Sequence, residues 1–464
     1  MASYAYLGEK EGGDNNGGGN GNGNGNGNGH GNGNGKSNSS NNNNNSNSNS
    51  NNNGDVGENR TKTHMDQMAV LDNSSDMTSL LAFHPFETAL LVCDDCDVIS
   101  VWNYEEARKV KSFSNSNTSG SRMTSMKIIN PGGNSLLMTG CDDGTVRCWN
   151  GAVDENISGV GGVAGGGGMG GGGRATKGGG RGGRGAGASG GNSIRDGGRN
   201  GWGEREGGAR GVTLASAFFG APEMEAGKRG SGLILEWQNW SNQLITAGSS
   251  SIMRRWDLET NQCNANCETL SEACLTSLAT MYDDDDNLWG GGSDGSGGIG
   301  GGGNGDACFN PNVVLGGYGD GSLRLFDLRT NNCILSFFEH NSWVVNTSFL
   351  KTRGEIVSSS VSGDLKFWDL RSHTSLRTFS VQRSPMTAMA CHDTLPLMST
   401  GSHAQFIKIL SLEGQMINVI RYHEGFLGQR IGPVSCLAFH PVKFLMAAGA
   451  TDSIVSLYSG DNTK

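Results

Sequence analysis

Ser135–Asn150 reads SLLMTGCDDGTVRCWN. It opens as an apolar strand, passes through the small residues Thr139 and Gly140, turns at Asp143-Gly144, and leaves as an alternating strand ending on Trp149. An Asp-Gly pair between two such runs supplies the positive φ that a tight hairpin demands. Period-2 alternation over so few residues marks short strands, not helix.

The unit recurs outward in both directions. SLLAFHP with ALLVCDDCDVISVWN ends at Trp102, and MTSMKIIN precedes the stretch ending at Trp149. GLILEWQNWSNQLITAGSSSIMRRWD ends at Trp256, and LTSLATMY with NVVLGGYGDGSLRLFD ends at Phe326-Asp327. VVNTSFLKTRGEIVSSSVSGDLKFWD ends at Trp368-Asp369, MTAMACHDTLPLMSTGSHAQFIKIL follows, and VSCLAFHPVKFLMAAGATDSIVSLYS ends at Tyr458. Burying each terminal Trp removes about 150–250 Å² from water, roughly 4–6 kcal/mol gross as an upper bound. The small residues before each turn let neighbouring strands approach closely.

Repeated units with a WD-like ending resemble the WD repeat, and seven of them resemble the seven-bladed β-propeller, an all-β ring. Ring closure removes exposed sheet edges. The resemblance implies that the outermost strand of the last blade comes from the N-terminal side, near Met65 to Asp72. It also implies an Asp in the tight turn bonded across the blade to a His ahead of the first strand. Asp143, Asp320 and Asp452 occupy the turn position, Ser250 and Ser362 stand there in two other units, and His340 matches the His position. The polar set is therefore incomplete in most units.

Three low-complexity blocks interrupt the repeats and hold much of the glycine, 78 of 464 residues. Such tracts bury too little apolar surface to offset chain entropy. The expected organisation is a disordered Gly/Asn/Ser-rich tail over 1–59 and a propeller over 60–460, with disordered insertions at about 151–211 and 283–306. The first insertion, carrying Arg174, Arg181, Arg184, Arg195 and Arg199, falls between units two and three. The second, opening with Asp283–Asp286, falls between the first and second strands of unit four. Loop-closure entropy grows only logarithmically, so long insertions cost a ring little.

Net charge is −10 and the isoelectric point about 5.4, which gives no general attraction to polyanions. There is no basic segment followed by an apolar one at the N-terminus and no apolar run long enough to span a membrane, so a cytoplasmic location is expected. Eleven scattered cysteines fit reduced thiols better than a disulfide framework. Cys93–Cys96 and Cys263–Cys267 lie in strand contexts that do not suit a structural zinc site. Glycine-spaced matches to a dinucleotide fingerprint lack the flanking strand and helix, and GAPEMEAGKR has the wrong spacing for a phosphate loop, with Arg229 in place of Ser/Thr. The aspartate run reads as a solvated loop. No catalytic residue, cofactor, metal or small-molecule substrate is expected. The Arg/Gly tract leaves an RNA-associated role open as an alternative, although Asp196, Glu204 and Glu206 dilute its charge.

Tyr422–Pro441, YHEGFLGQRIGPVSCLAFHP, goes beyond a generic repeat. With LAFHPFETALLVCDDCDVISVWN, LLMTGCDDGTVRCW, EHNSWVVN and SSSVSGDLKFWD, it resembles the C-terminal propeller of the Raptor family, the regulatory-associated scaffold of TOR complex 1. The resemblance runs from about Thr78 to Ser459. It implies a non-catalytic scaffold in nutrient-responsive TOR signalling, with TOR kinase complex subunits as protein partners. A generic WD adaptor of another assembly is the alternative. Raptor proteins carry a caspase-like domain and a long helical repeat region ahead of the propeller, and neither is present in these residues. The chain is thus a fragment, a truncated gene model or a free-standing propeller, and functions resting on those parts are not carried over.

Gly425, Phe426, Leu427, Gly428, Gln429 and Arg430 form the candidate partner-binding segment, because apolar residues between glycines gain nothing in a purely solvated loop. A second reading stays open: Phe426 caps the propeller and Arg430 pairs with a neighbouring blade.

Overall fold

The computed structural model describes residues 65–74, 77–95, 97–153, 211–228, 230–239, 241–280, 312–350, 353–421 and 432–460. They form 28 strands and no helix. The chain starts with β1 (Asp66–Asp72). Blade 1 is β2 (Thr78–Phe83), β3 (Ala89–Asp94), β4 (Val98–Asn103) and β5 (Arg108–Ser114). Blade 2 is β6 (Met123–Ile129), β7 (Leu136–Cys141), β8 (Thr145–Asn150) and β9 (Thr213–Phe219). Blade 3 is β10 (Leu233–Gln238), β11 (Gln243–Gly248), β12 (Ile252–Asp257) and β13 (Gln262–Glu268). Blade 4 is β14 (Leu275–Thr280), β15 (Val313–Tyr318), β16 (Leu323–Asp327) and β17 (Asn332–Phe337). Blade 5 is β18 (Val344–Leu350), β19 (Glu355–Ser360), β20 (Asp364–Asp369) and β21 (Ser375–Ser380). Blade 6 is β22 (Met386–Cys391), β23 (Leu397–Ser402), β24 (Phe406–Ser411) and β25 (Met416–Arg421), and blade 7 begins with β26 (Val434–Phe439), β27 (Leu445–Ala450) and β28 (Ile454–Ser459).

Each blade is a four-stranded antiparallel meander, and β1 completes the seventh in the order β1-β28-β27-β26. Its register runs from Asp66 opposite Ser459 to Asp72 opposite Ile454. The expected closing strand is therefore present, and it ties residues almost 400 positions apart. Met65 and Leu71 are buried with it.

The core is a ring of seven clusters, one in each gap between adjacent sheets. In the gap between blades 1 and 2, Leu91, Ile99 and Phe113 meet Met126, Leu137 and Trp149. Small residues in the second strand make this fit possible. A Cβ on Gly140 would lie 2.9 Å from Leu235 of blade 3, and Gly401 backs onto Val434 of blade 7 in the same way. Trp102, Trp149 and Trp368 are buried as expected, whereas Trp256 is only partly buried, because β13 beyond it is largely exposed.

The Arg/Gly tract does not separate units two and three. β9, beyond the tract, pairs with β8 from Thr145 opposite Phe219 to Asn150 opposite Thr213, so the tract sits inside blade 2, between its third and fourth strands. The unit as read from sequence lacked its outer strand, which sheet pairing supplies. The acidic tract lies between β14 and β15, as expected. The 1–59 tail and most of both insertions lie outside the described residues.

Candidate interaction surface

The hairpin turns between second and third strands and the loops leading from one blade to the next share one face, called here the upper face. Gly144, Gly321 and Gly363 sit in these turns at φ 80°, 84° and 94°. Added Cβ atoms would strike the carbonyl oxygens of Ala221, His340 and Gln382, so the left-handed conformation and the close approach both demand glycine. Each turn thereby packs against the loop that leaves its own blade.

That loop then reaches into the next blade. The amide of Asn115 donates to the Asp97 carbonyl of blade 1 at 2.8 Å, while its side-chain Oδ1 accepts from Thr139 Oγ1 and Trp149 Nε1 of blade 2, each at 2.8 Å. Asn73 repeats the arrangement: its amide donates to Ser453 of blade 7, and its Oδ1 accepts from Trp102 Nε1 at 3.3 Å. Gln382 links the Gly363 carbonyl to Thr400 Oγ1 at 3.1 Å. At the third blade only backbone is used: the Gly220 carbonyl accepts from Thr246 Oγ1 at 2.9 Å, and Thr246 accepts from Trp256 Nε1 at 3.0 Å.

His340 is the single His of this kind among the described residues. Its Nε2 lies 2.7 Å from Ser358 Oγ, which accepts from Trp368 Nε1 at 2.8 Å. Burial, assisted by Lys366, pushes His340 down to about 4, so the ring is neutral at physiological pH. Its Nδ1 is buried without a hydrogen-bond partner, and Ser362 in its turn bonds Ser360 and Asp364 instead.

Among the described residues the expected Asp-to-His pairing is not assembled, and residues 422–431 ahead of β26 lie outside them. Asp143 Oδ1 accepts from the Thr145 amide and hydroxyl, and Asp320 Oδ1 from those of Ser322. Asp452 accepts from the Ile454 amide at 3.4 Å. These carboxylates cap their own turns, and in the described loops ahead of blades 1, 2, 3 and 6 the His position is held by Asn73, Asn115, the Gly220 carbonyl and Gln382. Asp327 and Asp369 cap the next turn, accepting from the amides of Arg329 and Arg371 at 2.9 Å.

Sequence reading missed a second latch. Two positions before the terminal residue, third strands carry Arg147, Arg254, Arg324, Lys366 and Lys408. Each reaches a loop of the upper face: Arg147 bonds Asn117, Arg254 bonds Glu223, Arg324 the Thr269 carbonyl, Lys366 bonds Glu339 and Lys408 the Val381 carbonyl. The recurring basic residue in VRCW, MRRW, LRLF, LKFW and IKIL was the available signal.

The residues Gly425, Phe426, Leu427, Gly428, Gln429 and Arg430 lie outside the described residues, between β25 and β26, in the connection from blade 6 to blade 7. Cys96 also lies outside them. Cys263 and Cys267 lie on β13, the first exposed and the second buried. Among the described residues no three His, Cys, Asp or Glu side chains are grouped as for a metal ion. Burial pushes the thiols of Cys141 and Cys391 up to about 12 and those of Cys148, Cys267 and Cys436 up to about 11, which leaves them as packing residues, not nucleophiles. GAPEMEAGKR belongs to the loop between β9 and β10: the amides of Gly220 and Ala221 donate to Gly144, and Glu223 pairs with Arg254.

The WD domain, G-beta repeat family matches residues 108–150, which is β5 of blade 1 followed by β6–β8 of blade 2. The sequence repeat is thus staggered against the blade, and Asn115 sits at the stagger. The chain is 31% identical over 83% of its length to the protein raptor homolog of Dictyostelium discoideum. It is 29% identical over 83% to regulatory-associated protein of TOR 1 of Arabidopsis thaliana, and 29% identical over 87% to target of rapamycin complex 1 subunit mip1 of Schizosaccharomyces pombe. The chain spans 21%, 23% and 25% of these curated relatives. The crystal structure of Chaetomium thermophilum Raptor shares the fold, with a TM-score of 0.61 at 23% identity over 85% of this chain and 29% of that one.

Proposed function

We propose that this chain, homologous to Raptor over its propeller, acts in the cytoplasm as a non-catalytic scaffold within TOR complex 1, holding protein partners for a kinase that resides in another chain. The observation that carries this reading is the extent of the similarity, which runs through 83% of the chain into relatives named as Raptor homologues or TOR complex 1 subunits. A generic propeller shares only the repeat. The chemistry of the described residues is consistent with it: the His, Asp, Ser and Trp side chains at the repeat positions are engaged with one another or with backbone, which builds a rigid platform. A propeller by itself specifies no function, so the assignment rests on family and not on fold.

The test is affinity purification of the tagged endogenous protein, read by mass spectrometry. TOR kinase among the recovered proteins is the expected result. Its consistent absence, with an unrelated set of partners recovered in its place, overturns the assignment.

A further inference from the structure

Three loops of the upper face converge where blades 3, 4 and 5 meet, and they expose large apolar side chains. Phe338 is 71% exposed, Leu270 68% and Trp343 40%. Phe338 and Leu270 are the two most exposed large hydrophobic residues among those described.

They form one patch. Arg324 of β16 lies under it, donating to the carbonyl oxygens of Thr269 and Leu270, with its guanidinium 4.9 Å from the Tyr318 ring and 5.9 Å from the Phe338 ring. Gly319, in the turn between β15 and β16, abuts the Trp343 ring. The turn itself is clamped between the two loops: Gly319 donates to the Cys274 carbonyl at 2.9 Å, and Gly321 packs on His340. The aromatic and aliphatic surfaces are therefore held in place before anything binds, which lowers the ordering cost of an encounter.

Leu270 also sits at φ 54°. Among the described residues the other non-glycine residues in this left-handed region are Asn, Ser, Ala and Gln, so Leu270 is the one large apolar side chain held there. The conformation is unfavourable for a leucine, and such strain persists where surrounding structure imposes it, often at binding sites. Here the imposed result is a leucine turned to solvent.

Charge then selects the occupant. Glu272 and Asp320 are exposed on the same loops, and Glu268 is exposed at the end of β13. The neighbouring cations are already engaged: Arg254 with Glu223, Lys366 with Glu339, and Arg324 with carbonyl oxygens and with Asp320 at 3.7 Å. A nucleic acid or an anionic lipid surface would be repelled by these carboxylates.

We propose that the Leu270–Phe338–Trp343 patch is a docking site for a short extended peptide segment of another protein, one that places a large apolar side chain close to a lysine or arginine. The apolar side chain seats on Phe338 and Leu270, and the cation meets Glu272. The patch is small against a standard protein interface of about 800 Å² per partner, which suits a linear segment with one anchor. The inference stands on these residues and does not depend on which assembly the propeller serves.

The test pans a phage library of random peptides, about twelve residues long to cover one extended segment, on the full chain and on two variants. Leu270→Ser with Phe338→Ser removes the apolar seat, and Glu272→Lys reverses the charge; thermal melting checks that each still folds. Peptides enriched on the parent are expected to pair a Leu, Phe, Trp or Met with a nearby Lys or Arg. Their capture should fall roughly tenfold or more on each variant, as expected for loss of an anchor. Equal capture by parent and Glu272→Lys, enrichment of acidic peptides, or no enrichment on the parent overturns the proposal. If the double variant fails to fold, the Glu272→Lys result decides alone.

Discussion

Trp149 Nε1 donates to Asn115 Oδ1 at 2.8 Å across 34 residues and across the gap between two blades. The same oxygen accepts from Thr139, so one amide side chain satisfies two buried donors of blade 2 while its backbone remains tied to blade 1. Replacing Asn115 by Ala leaves the Trp149 donor unpaired, at about 1–3 kcal/mol for such a group, and leaves Thr139 only its 3.4 Å bond to the Arg147 carbonyl. Chemical denaturation of Asn115→Ala is expected to show a loss of about 1–3 kcal/mol. Asn115→His should retain most of it, because His340 does the equivalent work in blade 5. Equal losses in both variants would show that the acceptor is not what matters.

Trp368 separates packing from hydrogen bonding. It is completely buried, with its ring tilted against that of Phe337 at 4.7 Å between centroids, and bonded to Ser358. Trp368→Phe keeps an aromatic ring in the gap and gives up one hydrogen bond, so a cost of about 1–2 kcal/mol is expected. Trp368→Ala opens a cavity between blades 4 and 5 and should cost about 3–5 kcal/mol. Urea unfolding of the two variants beside the parent measures both.

The seventh sheet is completed by β1, through six register pairs to β28. Deleting residues 60–75 exposes the edge of β28 and uncovers Val455 and Leu457. Loss of folded protein on expression is the expected outcome, and an unchanged melting temperature would contradict the closure.

Acid should weaken the fold at a defined pH. His340 and His440 are both pushed down to about 4, mainly by burial. His440 Nδ1 accepts from the amides of Val442 and Lys443 at 3.1 and 3.0 Å, which requires the neutral ring. A free histidine takes its proton near pH 6.5. Between about 6.5 and 4 the unfolded chain therefore binds protons that the folded chain does not, and stability falls as pH falls through that window. Above it, the contribution is fully present. Denaturant midpoints at pH 7, 5.5 and 4 are expected to drop in order, and the drop should shrink in His340→Gln and in His440→Asn.

Phe426→Ala with Arg430→Ala tests the segment between β25 and β26. Weaker recovery of partners with an unchanged melting temperature is expected if the segment is a contact surface. Collapse of the fold would instead make Phe426 a cap of the propeller.

The repeats were legible because strand alternation, Asp-Gly turns and terminal aromatics are local patterns, written within each unit. The outer strands were harder to read. Thr213–Phe219 carries no charge and is separated from β8 by the whole Arg/Gly tract, so its place in blade 2 follows from pairing and not from proximity in sequence. Asn73, Asn115 and Gln382 escaped for another reason. Any of several side chains can offer an acceptor or donor at one point in space, and a search for His at that point passes over amides that do its work.

The sequence by itself determined the all-β class, the seven units, the N-terminal closing strand and the similarity to Raptor homologues, since each is carried by short-range pattern or by matched blocks. Tertiary structure decided which polar group meets which indole, where the Arg/Gly tract interrupts a blade, and that Leu270, Phe338 and Trp343 share one surface. These are relations between residues on different blades, set by the curvature of the closed ring. No local pattern encodes a distance across a gap.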